Sequence, residues 1–168
     1  MKRLALLIIC LTLSSLSMVW GPPSPHYDLM NMILWEKHQA EKARYQRVEN
    51  ILSTIRILES ANDYSAEGGS GEYGAYQFKF STFDKFSREY FGELLDIKIP
   101  ENQDMVARKK VEALIDAGFS DTDIAAIWNS GSHLGWQNKA GVNKHGVRYN
   151  VPRYVEKFIA TLGTMEIT

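Results

Sequence analysis

The stretch from Val48 to Glu59 constrains the chain most. Val48, Ile51, Leu52, Ile55 and Leu58 recur at three- and four-residue steps, which sets them on one face of a helix and turns that face toward a core. Glu59 follows Val48 by eleven residues, about three turns at 3.6 residues per turn, so a carboxylate falls on the apolar face. A carboxyl half-buried there has a raised pKa and can hold its proton near neutral pH. That makes Glu59 a candidate general acid. The competing reading is a helix-terminal Glu that reaches solvent or caps a backbone group.

A chain of 168 residues, 45% hydrophobic and 23% charged, has room for one domain with a real core. Its formal net charge of -1 offers no basic surface for nucleic acid. Lys109-Lys110 sits among acids and is expected on a solvated helix face. Lys2-Arg3, the apolar run Leu4 to Leu13, and Ser14, Ser15 and Ser17 follow the order of a secretory signal peptide. Cleavage is expected after Ser17, with Gly21 the alternative and an uncleaved anchor the rival. Cys10, the only cysteine, lies inside that run, so removing the signal leaves no thiol and no disulfide. The expected organisation is a signal at 1–17 (or to 21), a linker and charged helix over 18–47, and the main domain over 48–168. An exported product with no membrane span after signal removal follows from it.

From Asp28 to Glu59 there is neither Gly nor Pro, which predicts helix, either continuous or broken near Gln39. Leu29, Met32 and Ile33 are expected to pack on the domain. Asn62 to Gly74 is rich in Gly, Ser, Asn and Asp and predicts a loop or small hairpin. Gly68-Gly69-Ser70-Gly71 lacks the Gly-Lys-Ser/Thr of a phosphate loop. Helices are expected over Ser81 to Tyr90, with Phe83 and Phe86 inside, and over Asn102 to Ala117. A third begins at the Ser120–Asp123 capping box and stops at Gly131. The stretch from Ser132 to Asn150 reads as a polar surface loop. A last helix starts near Pro152, with Val151, Tyr154, Val155, Phe158, Ile159 and Leu162 as its buried stripe. The fold class is mainly α with a hairpin or Gly-rich loop after the Glu59 helix.

Four short motifs occur in one order: Glu59-Ser60, Gly74-Ala75-Tyr76-Gln77-Phe78, Ala126-Ile127-Trp128-Asn129-Ser130-Gly131 and Val151-Pro152-Arg153-Tyr154-Val155. This order resembles the lytic transglycosylases with a soluble-lytic-transglycosylase, goose-lysozyme-like domain, over Val48 to Leu162. The resemblance implies a lysozyme-like fold and cleavage of the glycan strands of peptidoglycan between N-acetylmuramic acid and N-acetylglucosamine. It makes Glu59 the catalytic acid and base and puts Ser60, Tyr76, Gln77, Asn129 and Tyr154 among the substrate-binding residues. Tyr76 and Gln77 then line the sugar groove, Asn129 contacts substrate or the catalytic region, and Tyr154 projects toward Glu59. Ala75-Tyr76 stands where the family has Leu-Met, and Trp128 where it has Tyr. Such domains serve wall remodelling, secretion or conjugation machines, and phage entry or lysis, in the periplasm or cell envelope.

In that chemistry one carboxyl protonates the leaving oxygen, then takes the proton of the sugar's own 6-hydroxyl as a 1,6-anhydro ring closes. Many glycosidases need a second carboxylate, for which Asp63, Glu67 and Glu72 are the candidates. With such a partner the enzyme is a hydrolytic muramidase. A glycan-binding or scaffold module without catalysis is the rival of another class. Tyr76, Trp128 and Trp136 can stack on sugars or pack in the core. His26, His38, His133 and His145 show no metal-ligand spacing, so no metal and no cofactor are expected.

Overall fold

The computed structural model describes residues 25–142, 146 and 148–165; the expected signal at 1–17 with Cys10, and His145, lie outside the described residues. Helix α1 runs unbroken from Pro25 to Ser60. The chain divides into two units, Met1–Gln39 and Ala40–Thr168. In the first, Leu29, Met32 and Ile33 are 52%, 56% and 51% exposed. Met30, Leu34 and Trp35 are exposed as well. Six apolar residues within seven positions circle a helix rather than forming a stripe, so no one face can bury them. No described helix is long and apolar enough to cross a membrane.

In the second unit the predicted stripe holds. Val48, Ile51, Leu52 and Ile55 are fully buried, in one cluster with residues of every other helix. Arg47 fastens this part of α1 from outside, donating to the Phe119 carbonyl and pairing with Asp121 at 2.7 Å. The helix ends without glycine. Ala61 and Asn62 take positive φ, 56° and 67°, and the Asn62 amide reaches back to the Arg56 carbonyl at 3.1 Å, as in a Schellman closure.

Strands β1 (Glu72–Tyr73) and β2 (Phe78–Lys79) form the expected small hairpin, pairing Glu72 with Lys79 and Tyr73 with Phe78. Helix α2 (Phe80–Phe91) buries Phe83, and α3 (Pro100–Asp116) buries Val106, Ala107 and Val111. Helix α4 (Asp121–Ser130) opens on Ser120, whose Oγ accepts the Asp123 amide and donates to the Asp123 carboxylate at 2.6 Å, and closes on Gly131 at φ 76°.

The stretch 132–150 is not a plain loop. It holds a short 3-10 turn, Trp136–Asn138, and a second hairpin of β3 (Ala140–Val142) and β4 (Arg148–Asn150). All six strand residues are exposed, so no apolar alternation betrays them. Helix α5 (Val151–Met165) buries Val151, Val155, Phe158 and Leu162. Ile159, expected in that stripe, is 39% exposed; at 100° per residue it lies about 80° round from Val151, at the edge of the face.

Gln103 on α3 holds the loop between α1 and β2. Its fully buried side chain accepts the Ala75 amide at 2.8 Å and donates to the Tyr64 and Ile97 carbonyls at 3.0 and 2.8 Å. The amide fits because position 74 has no side chain: a Cβ on Gly74 would overlap the Gln103 carboxamide, and its φ of +82° already favours glycine. Gln103→Met keeps the volume but leaves an amide and two carbonyls without partners. An unsatisfied buried group costs about 1–3 kcal/mol, so denaturant unfolding of this variant should show a loss of about 3 kcal/mol or more.

Candidate active site

A cavity of about 770 Å³ opens between the end of α1, the first hairpin, α3 and α4, and Glu59, Glu72, Gln77, Lys110, Trp128 and Asn129 are among the residues that line it. Its size is that of a small-molecule or oligosaccharide cleft. Glu59 reaches it from the last turn of α1, half-buried, with Oε1 accepting a 2.7 Å hydrogen bond from the Tyr154 hydroxyl. This pair joins residues far apart in sequence and brings the first and last of the four motifs together.

Burial raises the Glu59 pKa above the usual carboxylate value, and the nearby Glu72 charge adds to the rise. The Tyr154 hydrogen bond and the Lys110 charge oppose it without cancelling it. Tyr154 is itself held well above its usual value, first by burial and then by Glu59, so its hydroxyl stays a donor. Lys110 is the residue that sequence reasoning misplaced. Lys109 does lie on a solvated face, paired with Glu112 at 3.2 Å. Lys110 points inward, its Nζ 4.2 Å from the Trp128 ring centre, 5.1 Å from Phe86 and 5.8 Å from Phe78. Burial brings its pKa down to about 8, against an upward pull from Glu59. The signal was present: Lys110 follows the buried Val106 by four residues and Ala107 by three, the same spacing argument that singled out Glu59.

The remaining candidates divide. Tyr76 is only 1% exposed, so it forms the wall of the cleft and has no free ring face for a sugar. Its hydroxyl donates to Asp104 at 2.6 Å and accepts from Arg56 at 2.8 Å, while Tyr64 also donates to Asp104 at 2.8 Å. Burial and Asp104 push the Tyr64 hydroxyl up to about 12. Neither Arg56 nor Asp104 was singled out in the sequence, because ordinary surface charges look the same.

Ser60 does not face the cleft. Its Oγ donates to the Ala75 carbonyl at 3.0 Å and accepts the Asp63 amide at 3.1 Å, locking helix to loop. Gln77 does line the cleft, at the unusual φ of 49°, with its amide donating to the carbonyls of Gly74 and Ala66 at 2.9 and 3.2 Å. Asn129 is exposed on the cleft wall. Trp128 has both roles that were weighed for it: it packs on Phe78 at 5.3 Å between ring centres and borders the cavity. Trp136 packs against the core and is not part of the lining.

Of the three loop acids only Glu72 borders the cavity. It accepts the Ser70 amide at 2.9 Å and stands 3.7 Å from the Lys79 ammonium. Asp63 is turned to Ser65, whose hydrogen bonds hold its carboxyl below the usual value. Glu67 forms a bridge to Tyr73. No family model, curated protein or solved structure matches the chain.

The opposing influences on Glu59 give variants of opposite sign. Tyr154→Phe and Lys110→Met each remove a contribution that favours the carboxylate, so the Glu59 pKa should rise further. Glu72→Gln removes a repelling charge, so it should fall. Carboxyl-carbon NMR titration reads all three. A raised folded pKa means that Glu59 adds stability at low pH and that this is lost as pH rises through the folded value. Glu59→Gln should therefore gain melting temperature over the native chain at pH 8 and lose that advantage near pH 4.

Proposed function

We propose that the chain is a peptidoglycan lytic transglycosylase with a lysozyme-like domain. It cleaves the β-1,4 bond from N-acetylmuramic acid to N-acetylglucosamine and leaves a 1,6-anhydro end. The observation that carries this reading is a single desolvated carboxyl, Glu59, with raised pKa and a Tyr154 donor at 2.7 Å, bordering a cleft of oligosaccharide size. The mainly helical architecture and the order of the four motifs agree with it.

In the proposed reaction, neutral Glu59 gives its proton to the glycosidic oxygen as the bond to the muramic C1 breaks. The sugar's N-acetyl oxygen supports the positive charge that develops at C1. The carboxylate now formed takes the proton from the 6-hydroxyl while that oxygen bonds to C1. Glu59 ends protonated and no water is consumed. The charge on Glu59 changes twice, and its surroundings suit both forms: burial favours the acid that donates, and Tyr154 with Lys110 favours the carboxylate that accepts. On this reading the protein acts outside the cytoplasmic membrane, in the periplasm or cell envelope.

Glu72 gives a second reading a specific footing. It borders the same cavity and carries a charge that Glu59 senses, so it could hold a water for hydrolysis, as in a muramidase. Mass spectrometry of digested peptidoglycan separates the two. Anhydro-muropeptides are expected; hydrated reducing ends alone would make the enzyme a muramidase. Glu59→Gln should lower the rate by about 10²–10⁴-fold, the usual worth of a general acid. An inactive native chain that still binds glycan would leave a binding module instead.

A further inference from the structure

A second, smaller cavity of about 280 Å³ lies beside the cleft, and its charged lining is cationic throughout: Arg148 from β4, and Arg153 and Lys157 from α5. Arg153 and Lys157 stand one helical turn apart and so share a face of α5. Asn150 sets the start of that helix, its Oδ1 accepting the Arg153 amide at 2.9 Å. Among the described residues none of the three cations has an ion-pair partner. Glu156 is next to Lys157 in sequence but does not border the cavity and pairs with none of them.

Asn129 and Tyr154 link the two cavities in different ways. Asn129 borders both. Tyr154 borders the smaller one and sends its hydroxyl to Glu59, which borders the larger. A ligand in the smaller cavity is therefore one side chain away from the acid. The larger cavity balances its carboxyl groups, Glu59 and Glu72, with Lys79 and Lys110; the smaller has three cations and no acid in its lining, and among the described residues none of the three is ion-paired, which favours an anion.

We propose that the Arg148–Arg153–Lys157 cavity is a carboxylate-binding subsite for the acidic substituents of the strand whose sugar rings occupy the cleft. This rests on the glycan reading above and adds to it the part of the substrate that is recognised by charge. Sugar rings of such a strand are neutral. Its carboxylates have two sources, the peptide stems and the lactyl ether, which is freed as a carboxylate when a stem is removed. Arg and Lys side chains lining one small cavity suit a carboxylate from either source.

The test measures binding by the full chain carrying Glu59→Gln, so that no strand is cut, with and without Arg148→Gln, Arg153→Gln and Lys157→Gln together. The three ligands are stem-bearing strands, strands stripped by an amidase, and neutral β-1,4 N-acetylglucosamine oligomers. All three replaced residues are exposed, so the fold should survive, and circular dichroism checks it. The triple change should weaken stem-bearing strands by about tenfold, the sum of three exposed charge contacts, and leave the neutral oligomers unchanged. The tighter binding of the parent should also fade with added salt while that of the triple variant stays flat. Equal weakening on stripped strands assigns the site to the lactyl carboxylate, and weakening on stem-bearing strands alone assigns it to the stems. Equal affinity with and without the triple change overturns the subsite alone, as does an equal loss on neutral oligomers. No binding of the parent to any of the three overturns the glycan reading and the subsite together.

Discussion

Desolvating one carboxyl is the constraint on which the rest of this structure depends. Glu59 continues the apolar stripe of α1, and burial raises its pKa. A carboxylate in such a place is unfavourable unless it is neutral or supplied with donors. The fold supplies the donor from its far end: Tyr154 on α5 closes onto Glu59 at 2.7 Å. That contact requires α5 to seat its own stripe of Val151, Val155, Phe158 and Leu162 in the common core. Seating the last helix and completing the site are one packing event.

The first hairpin is held as firmly, by polar groups rather than apolar ones. Gln103 satisfies three backbone groups from within the core, and Ser60 ties the end of α1 to the Ala75 carbonyl. Gln77, at φ 49°, is kept there by its amide bonds to Gly74 and Ala66. A non-glycine residue at such a φ is strained and persists only where its surroundings over-determine it. Here they do, and the strained residue borders the cleft.

Helices declared themselves in the sequence through periodicity and caps, because both are local. The α1 stripe, the Ser120 cap and the Gly131 stop lie where the spacing put them. Glu59 was legible for the same reason, as a charge at an apolar phase. The β3–β4 hairpin was not, since the six residues of its two strands are exposed and carry no alternation. Lys110 was hidden by its neighbour: reading Lys109-Lys110 as a pair concealed that adjacent helical residues point about 100° apart. The role of Ser60 was out of reach, because its partner Ala75 lies across a loop whose course no local pattern specifies.

Tyr76 illustrates how a local change of residue draws in others. Its buried hydroxyl needs Asp104 to accept from it and Arg56 to donate to it, and Tyr64 completes the set. A methionine at this position would need none of them and would leave Asp104 with fewer donors. Positions 56, 64, 76 and 104 therefore form one hydrogen-bonded unit. Changing one of the four alone leaves a partly buried polar group short of a partner, so the site's wall tolerates their replacement together better than singly.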